Sequence, residues 1–260
     1  MRTPLAIITP TLGRVKFLAA LSDCIRRQTS TQWLWIIVHD GPLTQRAKQN
    51  IEERCPAATV LELPAWTGNY GSTPRLVGAQ QALAMGAQYS VFWDDDNYFH
   101  PDAVRRIREQ VEANNYPTAL LMRVDFGSKL IPPLAIPPSK LQIGQLDTAN
   151  LVLKTSVSVH AYSQVLDRGV SRATDYFALQ SVLDMPECRV ATSEYCVGIY
   201  DGLRPSLIYL RRVGIRSNLV YWFSYNRIYY TARKLVQFCT SYWNAPCVYT
   251  LDDPCDISKK

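Results

Sequence analysis

Residues 91–97 read VFWDDDN, a short apolar run that ends in three consecutive aspartates, Asp94, Asp95 and Asp96. Such a run, followed abruptly by charge, is typical of a buried strand that reaches the edge of its sheet. In open α/β sheets, ligands bind outside the carboxyl ends of the strands. Adjacent carboxylates repel one another, and Mg²⁺ or Mn²⁺ relieves this because both prefer carboxylate oxygen. The run therefore indicates a metal–diphosphate site; the alternative is a solvated acidic turn before a helix beginning near Pro101.

The N-terminal half of the chain alternates short apolar runs with segments of helical periodicity. This pattern predicts strands over 5–9, 33–38, 59–63 and 89–93, and helices over 15–28, 43–54, 75–87 and 101–114. Strands that alternate with helices at this spacing predict an α/β fold, with a mostly parallel, doubly wound sheet flanked by helices. Because each predicted strand ends in polar residues, these residues should gather at one edge of the sheet.

The pattern is looser in the second half. It predicts strands over 118–124, 149–153 and 194–200, and helices over 157–167 and 175–184. Four prolines within 130–138 exclude a central strand there and favour a loop or covering segment. Thr174 or Asp175 is a plausible N-cap for the last of these helices.

Cysteine content and hydropathy favour a cytosolic protein. The seven cysteines include no C-x-x-C pair, and their odd number favours reduced thiols. The apolar run near the N-terminus is broken by Pro10, so it predicts neither a signal peptide nor a membrane span. We expect a protein that is either soluble or peripheral on the inner face of the plasma membrane.

The net charge of +6 is concentrated near the C-terminus. Between Leu203 and Leu251 there is no acidic residue, whereas seven arginines and lysines occur. Within this stretch, residues 204–243 mix aromatic, aliphatic and basic side chains, which predicts amphipathic helices lying on an anionic membrane surface. Alternatively, the segment packs on the rest of the chain or forms a homodimer contact. Nucleic acid is an unlikely partner, because the N-terminal sheet carries none of its binding motifs.

Four segments carry a resemblance to a known family. They are IITPTLGR at 7–14, IIVHDG at 36–41, the stretch from Ser72 to Asn97, and TDY at 174–176. In order and spacing they resemble the family-2 nucleotide-sugar glycosyltransferases, which have the GT-A fold. The resemblance covers residues 4 to about 200, and implies a catalytic domain at 1–202 with a nucleotide-binding half (1–100) and an acceptor half (101–202). Residues 203–260 then form a C-terminal amphipathic helical appendage.

The resemblance assigns the donor-binding roles. It makes Thr9 a nucleotide contact at the end of the first strand and Asp40 the carboxylate that recognises the base. Arg75, opening its helix, would contact base or diphosphate. Asp94 and Asp95 would bind the nucleotide sugar, and the Mn²⁺ or Mg²⁺ ligands would be Asp96 and Asp94.

The resemblance makes Asp175 the general base, although the family has an acidic residue where this chain has Thr174. Simpler interpretations exist for several of these residues. Asp40-Gly41 is also a turn signal, Arg75 could be a surface residue, and Asp175 could be only a helix cap. His160 is a weaker candidate for a third metal ligand.

The implied reaction is the transfer of one sugar from a nucleotide sugar, with UDP favoured, to a glycan or lipid-linked acceptor. Attack in line with the leaving diphosphate would invert the anomeric centre. The signature of processive synthases is absent, which favours single transfer in surface polysaccharide or glycan assembly. Two alternatives remain. One is a nucleotidyltransferase, which would carry a glycine-rich basic loop after the first strand, whereas TPTLGR at 9–14 has one glycine and one arginine. The other is a catalytically inactive scaffold at the membrane.

Overall fold

The computed structural model describes residues 3–126, 129–170 and 172–200. The predicted C-terminal segment at 203–260 therefore lies outside the described residues. The strands are β1 Leu5–Thr11, β2 Trp33–His39, β3 Ala58–Glu62, β4 Tyr89–Phe92, β5 Tyr98–Phe99, β6 Ala119–Asp125, β7 Leu130–Ile131, β8 Leu151–Lys154 and β9 Val190–Ile199. The α-helices are α1 Val15–Arg26, α2 Gln45–Arg54, α3 Ser72–Ala84, α4 Ala103–Ala113, α5 Thr155–Asp167 and α6 Thr174–Leu183.

One nine-stranded sheet carries the fold, in the order β3-β2-β1-β4-β8-β6-β9-β5, with β7 paired to β6. The first four strands in this order are parallel, as the sequence predicts. β8 runs antiparallel to both of its neighbours, β4 and β6, so the sheet is mixed beyond β4. The short strands β5 and β7 were not predicted, because two residues are too few to show a period.

Apolar side chains cover both faces of the sheet. In β1, Leu5 and Ile7 belong to the core that also contains apolar residues of α1, α2 and α4. Ala6 and Ile8 point into the core formed with α3, α5 and α6. A strand that is apolar on both faces belongs at the centre of a sheet covered by helices, which explains the unbroken apolar run of β1.

Helix α3 lies unusually close to the sheet. A side chain at Gly78 would place its Cβ against Ile8 Cγ2 and 3.3 Å from Val38 Cγ2, so only glycine fits between the helix and strands β1 and β2. This approach fixes the position of the first turns of α3 relative to the ends of these strands.

The four cysteines among the described residues, Cys24, Cys55, Cys188 and Cys196, are free. Within residues 3–200 that the structure describes, no helix combines the length and the apolar character needed to cross a bilayer.

We expect Gly78→Ala to lower the free energy of unfolding by about 1–3 kcal/mol, as overpacking of a close-packed core does. Alanine is the better helix former, but the contact with Ile8 should outweigh that gain. The measurement is urea unfolding at equilibrium. Gln80→Ala, at an exposed position of the same helix, is the control and should change the midpoint little. Equal midpoints for the two variants would contradict the close approach.

Candidate active site

The carboxyl ends of β1, β2 and β4 meet at one edge of the sheet, because these strands are parallel neighbours. β1 ends at Thr11, β2 is followed directly by Asp40, and β4 ends two residues before Asp94. The edge therefore collects Asp40 and the aspartate triplet, as the sequence predicts. Trp93, between β4 and the triplet, is fully buried and stacks on Phe99 with 3.9 Å between ring centroids. This packing anchors the backbone that carries the triplet.

Arg75 reaches the triplet from α3. Its Nη2 donates to Asp94 Oδ1 at 2.6 Å, and its Nη1 donates to the backbone oxygen of Tyr70 at 2.8 Å. The side chain is almost fully buried, so it is not the surface residue of the simpler interpretation. Because α3 begins at Ser72 and not at Arg75, the arginine lies one turn inside the helix. A buried guanidinium paired in this way orients Asp94.

Arg14, from the loop between β1 and α1, binds the other two aspartates. Its Nε donates to Asp95 Oδ2 at 3.2 Å, its Nη2 contacts Asp95 Oδ1, and its Nη1 donates to Asp96 Oδ2 at 2.9 Å. Thr11 Oγ1 donates to Asp95 Oδ2 at 2.7 Å. Asp95 has no exposed surface, and burial raises its pKa to about 6, although Arg14 and Thr11 oppose this rise.

Asp40 holds a neighbouring loop. Its Oδ1 accepts hydrogen bonds from the backbone N–H and the hydroxyl of Thr67, both at 2.8 Å, and its Oδ2 accepts from Gly68 N at 3.3 Å. Asp40 is therefore more than a turn residue. The loop carries Trp66 and Tyr70, residues that are 71% and 61% exposed. Flat, exposed aromatic rings beside a buried carboxylate suit a planar heterocyclic ligand.

The expected placement of Thr9 needs correction. β1 continues two residues beyond it, and Thr9 is fully buried. Its hydroxyl accepts a hydrogen bond from Trp35 Nε1 at 3.0 Å, inside the core. The alternation of side chains along the strand places Thr9 on the same face as Ile7, where its side chain stabilises the sheet. Thr11, and not Thr9, is the threonine at the end of the strand.

A second group of acidic residues approaches Asp94 from the other half of the chain. Burial raises the pKa of Asp175, and Arg75 opposes this rise while Asp94 adds to it. Burial likewise raises the pKa of Asp147 well above its usual range, with Asp94 and Asp175 contributing. Thr148 connects the groups, since its Oγ1 lies 3.5 Å from both Arg75 Nη2 and Asp94 Oδ2. Asp175 thus lies near enough to Asp94 and Arg75 for their charges to influence its pKa.

The expected N-cap of α6 is wrong. The cap position is Ala173, with φ of 54°, and no side chain caps the helix. Thr174 is the first residue of the helix and is buried. Asp175 lies in the first turn, and its Oδ1 accepts from the N–H of Tyr176 at 2.8 Å. A carboxylate there interacts favourably with the helix dipole.

Sequence reasoning missed Arg14, Asp147 and Thr148. For Arg14 the sequence offers a weak signal, because it is the basic residue in the loop after β1, and β1 pairs with β4. Asp147 precedes β8, which runs antiparallel to β4, so its start lies where β4 ends. That reversal of strand direction was not predicted. Asp147 also caps the short 3₁₀ helix Thr148–Asn150, accepting from Ala149 N at 2.9 Å.

The residues present fit a divalent cation held jointly with a diphosphate. Among the described residues, no three or more His, Cys, Asp and Glu side chains are grouped so that they could hold a metal ion by themselves. His160 is therefore not part of such a group. Mg²⁺ commonly binds through one or two carboxylates plus substrate phosphates, for which Asp96 and Asp94 supply the right chemistry. Asp95 is unsuited to the role, because it is buried and three donors surround its oxygens.

Comparison with known proteins gives one match to a sequence family. Residues 6–132 match the profile of Glycosyl transferase family 2. This range contains the ends of β1, β2 and β4, Arg14, Arg75 and the aspartate triplet. No curated protein sequence matches the chain significantly.

Several solved structures share the fold. TarS 1–349 from S. aureus is similar with a TM-score of 0.58 and 16% identity, over 80% of this chain and 63% of that one. The same fragment in complex with UDP-GlcNAc is similar with a TM-score of 0.57 and 17% identity, over 76% and 58% of the two chains. Mannosyltransferase PcManGT from Pyrobaculum calidifontis, in complex with GDP-Man and Mn²⁺, has a TM-score of 0.54 and 15% identity, over 82% and 61%. The chain spans less than two thirds of the length of each.

The raised pKa of Asp95 predicts a pH-dependent contribution to stability. The carboxyl ionises at about 6 in the folded protein, against about 3.9 in an unfolded chain. Between these values the folded state holds a proton that the unfolded state has released, so this contribution falls as pH rises. We expect the free energy of unfolding of the wild type, minus that of Asp95→Asn, to fall by up to about 1.4 kcal/mol per pH unit between pH 4 and 6. Urea unfolding at several pH values measures this difference, and a flat profile would contradict the assignment.

Proposed function

Because the chain belongs to the family-2 glycosyltransferases and has their GT-A fold, we propose that it transfers a single sugar from a nucleoside-diphosphate sugar to a hydroxyl acceptor. The observation that carries this proposal is the convergence, at one edge of the sheet, of the aspartate triplet, Arg75 and Asp175. Diphosphate binding and proton removal are the two tasks of such a transfer. This edge offers groups for both.

Asp40 and its loop are the proposed site for the base. A carboxylate can accept N–H groups of uracil or guanine, and the exposed rings of Trp66 and Tyr70 are positioned on the loop that Asp40 holds. The structural neighbours include complexes with UDP, UDP-GlcNAc and GDP-Man. We favour UDP for this chain. We also propose that the catalytic domain extends over 1–202, with base recognition in its first half.

Asp96, with Asp94, is the proposed ligand of Mn²⁺ or Mg²⁺. When bound, the cation supplies Lewis-acid stabilisation of the negative charge on the leaving diphosphate. Arg75 holds Asp94 in place through the bond at 2.6 Å. We therefore propose Arg75 as a positioning residue for the diphosphate site. The direct contact with base or diphosphate that the family resemblance implies stays a prediction.

Asp175 is the proposed general base. The acceptor hydroxyl must lose its proton as it attacks the sugar, and a carboxylate within hydrogen-bond reach takes that proton best when its pKa lies near the working pH. Burial raises the pKa of Asp175 in this direction. Attack from the face opposite the diphosphate gives inversion of the anomeric carbon.

The acceptor is proposed to be a glycan or a lipid-linked sugar, in surface polysaccharide or glycan assembly. Residues 204–243 support this proposal through their composition, because basic and aromatic residues without acidic ones favour an anionic membrane surface. They lie outside the described residues. A peripheral position on the inner face of the plasma membrane follows from the same proposal.

Calorimetric titration of UDP and GDP, each with and without Mn²⁺, tests the donor site. We expect the wild type to bind one nucleotide in a Mn²⁺-dependent manner and Asp96→Ala to lose this binding, because the carboxylate that would hold the cation is gone. Glu53→Ala is the control, since Glu53 is exposed near the C-terminal end of α2, at the opposite edge of the sheet. Absence of binding in every condition would favour the inactive scaffold.

Asp175→Asn tests the general base separately from donor binding. We expect release of nucleotide from UDP-GlcNAc or GDP-mannose to slow by about 10²-fold or more, as loss of a general base does, with nucleotide affinity unchanged. Asp184→Asn is the matched control, because Asp184 is an exposed aspartate at the other end of α6. Equal turnover in Asp175→Asn and the wild type would remove Asp175 from the mechanism.

A further inference from the structure

Arg14 contacts Asp95 and Asp96 in different ways. It binds both oxygens of Asp95, through Nε and Nη2, but only one oxygen of Asp96, through Nη1. The side chain of Asp95 is fully buried, whereas that of Asp96 is 12% exposed and that of Arg14 is 40% exposed. Arg14 is thus paired at two points with the fully buried carboxylate and at one point with the carboxylate that keeps some exposed surface.

The guanidinium has a further support. Its Cζ lies 5.1 Å from the ring centroid of Phe17, within the range of a cation–π interaction. If Nη1 leaves Asp96, the two-point contact with Asp95 and the contact with Phe17 both remain. Loss of the Asp96 contact is therefore the least costly rearrangement available to Arg14.

Building on the proposed function, we propose that Arg14 is the resident counter-ion of Asp95 and Asp96 and competes with a divalent cation for Asp96. The Asp96 oxygen that accepts from Nη1 cannot at the same time bind a metal ion from that side. A nearby positive charge also opposes the approach of another cation. A free cation must displace Nη1 from the Asp96 oxygen and also overcome the repulsion by the Arg14 charge. A cation that arrives with a diphosphate brings negative charge, which offsets this repulsion.

This arrangement has a consequence for the order of binding. Mn²⁺ alone should bind weakly, and nucleoside diphosphate should strengthen its binding. Once freed from Asp96, Nη1 of Arg14 remains at the edge of the sheet with its charge intact, since an arginine does not lose its proton in proteins. It is then available to the diphosphate oxygens, so that Arg14 acts as a positioning residue in both states.

The test is a titration of Mn²⁺ without nucleotide, in which the electron paramagnetic resonance signal of free Mn²⁺ reports binding. The main variant is Arg14→Met/Asp95→Asn. It removes one positive and one negative charge, so the net local charge is unchanged and the buried carboxylate is not left unpaired. We expect it to bind Mn²⁺ at least about tenfold more tightly than the wild type, because the Arg14 guanidinium no longer competes for Asp96.

Two further variants make the result specific. Asp95→Asn alone keeps the guanidinium and leaves Asp96 as its remaining carboxylate partner, so we expect Mn²⁺ affinity to fall several-fold. Arg14→Lys preserves a charge beside Asp95, which protects the fold, but one ammonium group cannot span both carboxylates as the guanidinium does. We expect its Mn²⁺ affinity to rise.

Unchanged Mn²⁺ affinity in both Arg14→Met/Asp95→Asn and Arg14→Lys would overturn the inference, and so would absence of Mn²⁺ binding in every variant. Binding in the double variant but not in the wild type would support it strongly. Asp96→Asn in the double-variant background should abolish the gain, which assigns the ion to Asp96. Because this titration contains no nucleotide, its outcome is separate from the nucleotide calorimetry that tests the proposed function.

Discussion

Three neighbouring carboxylates that are largely buried at the end of one strand need positive charge to face them. Two arginines in the described part of the chain provide such charge. Arg75 pairs with Asp94, and Arg14 pairs with Asp95 and Asp96. Each arginine comes from the segment after a different strand, so the parallel order of the sheet has to be correct before the charges can be compensated. The close approach of α3 at Gly78 contributes to this charge compensation, because it holds the helix that carries Arg75 against β1 and β2.

Most of the fold could be predicted from the sequence because its strands are central and its helices amphipathic. The run LAIIT and the run WLWIIV are apolar on both faces, and their structure is the parallel strand pair that such runs predict. The predictions fail where the local sequence pattern carries no information about which strands pair and in which direction. Nothing in residues 151–154 indicates that β8 runs antiparallel between β4 and β6, since that direction is set by the long connection before it.

The candidate site was predictable to the extent that polar residues follow strands. Asp40 and the triplet could be placed at one edge by that rule, and Arg75 was identified through the family resemblance. Thr9 was placed at the end of the strand because the sequence Thr-Pro-Thr at 9–11 does not show where β1 stops. β1 continues to Thr11, and the Thr9 hydroxyl accepts a hydrogen bond from Trp35 in the core. Arg14 and Asp147 were missed for another reason. Their roles depend on contacts between segments far apart in the chain, which no local pattern records.

The hydrogen bonds of Asp40 have a consequence for selectivity. This carboxylate already accepts three hydrogen bonds from Thr67 and Gly68. Because a carboxylate offers about four acceptor positions, a base in the proposed site can add only about one further hydrogen bond. Discrimination between one heterocycle and another then falls to the surfaces around the carboxylate, where Trp66 stands most exposed. Changes in nucleotide preference among proteins of this kind would accordingly be expected in the loop, while the aspartate itself stays the same.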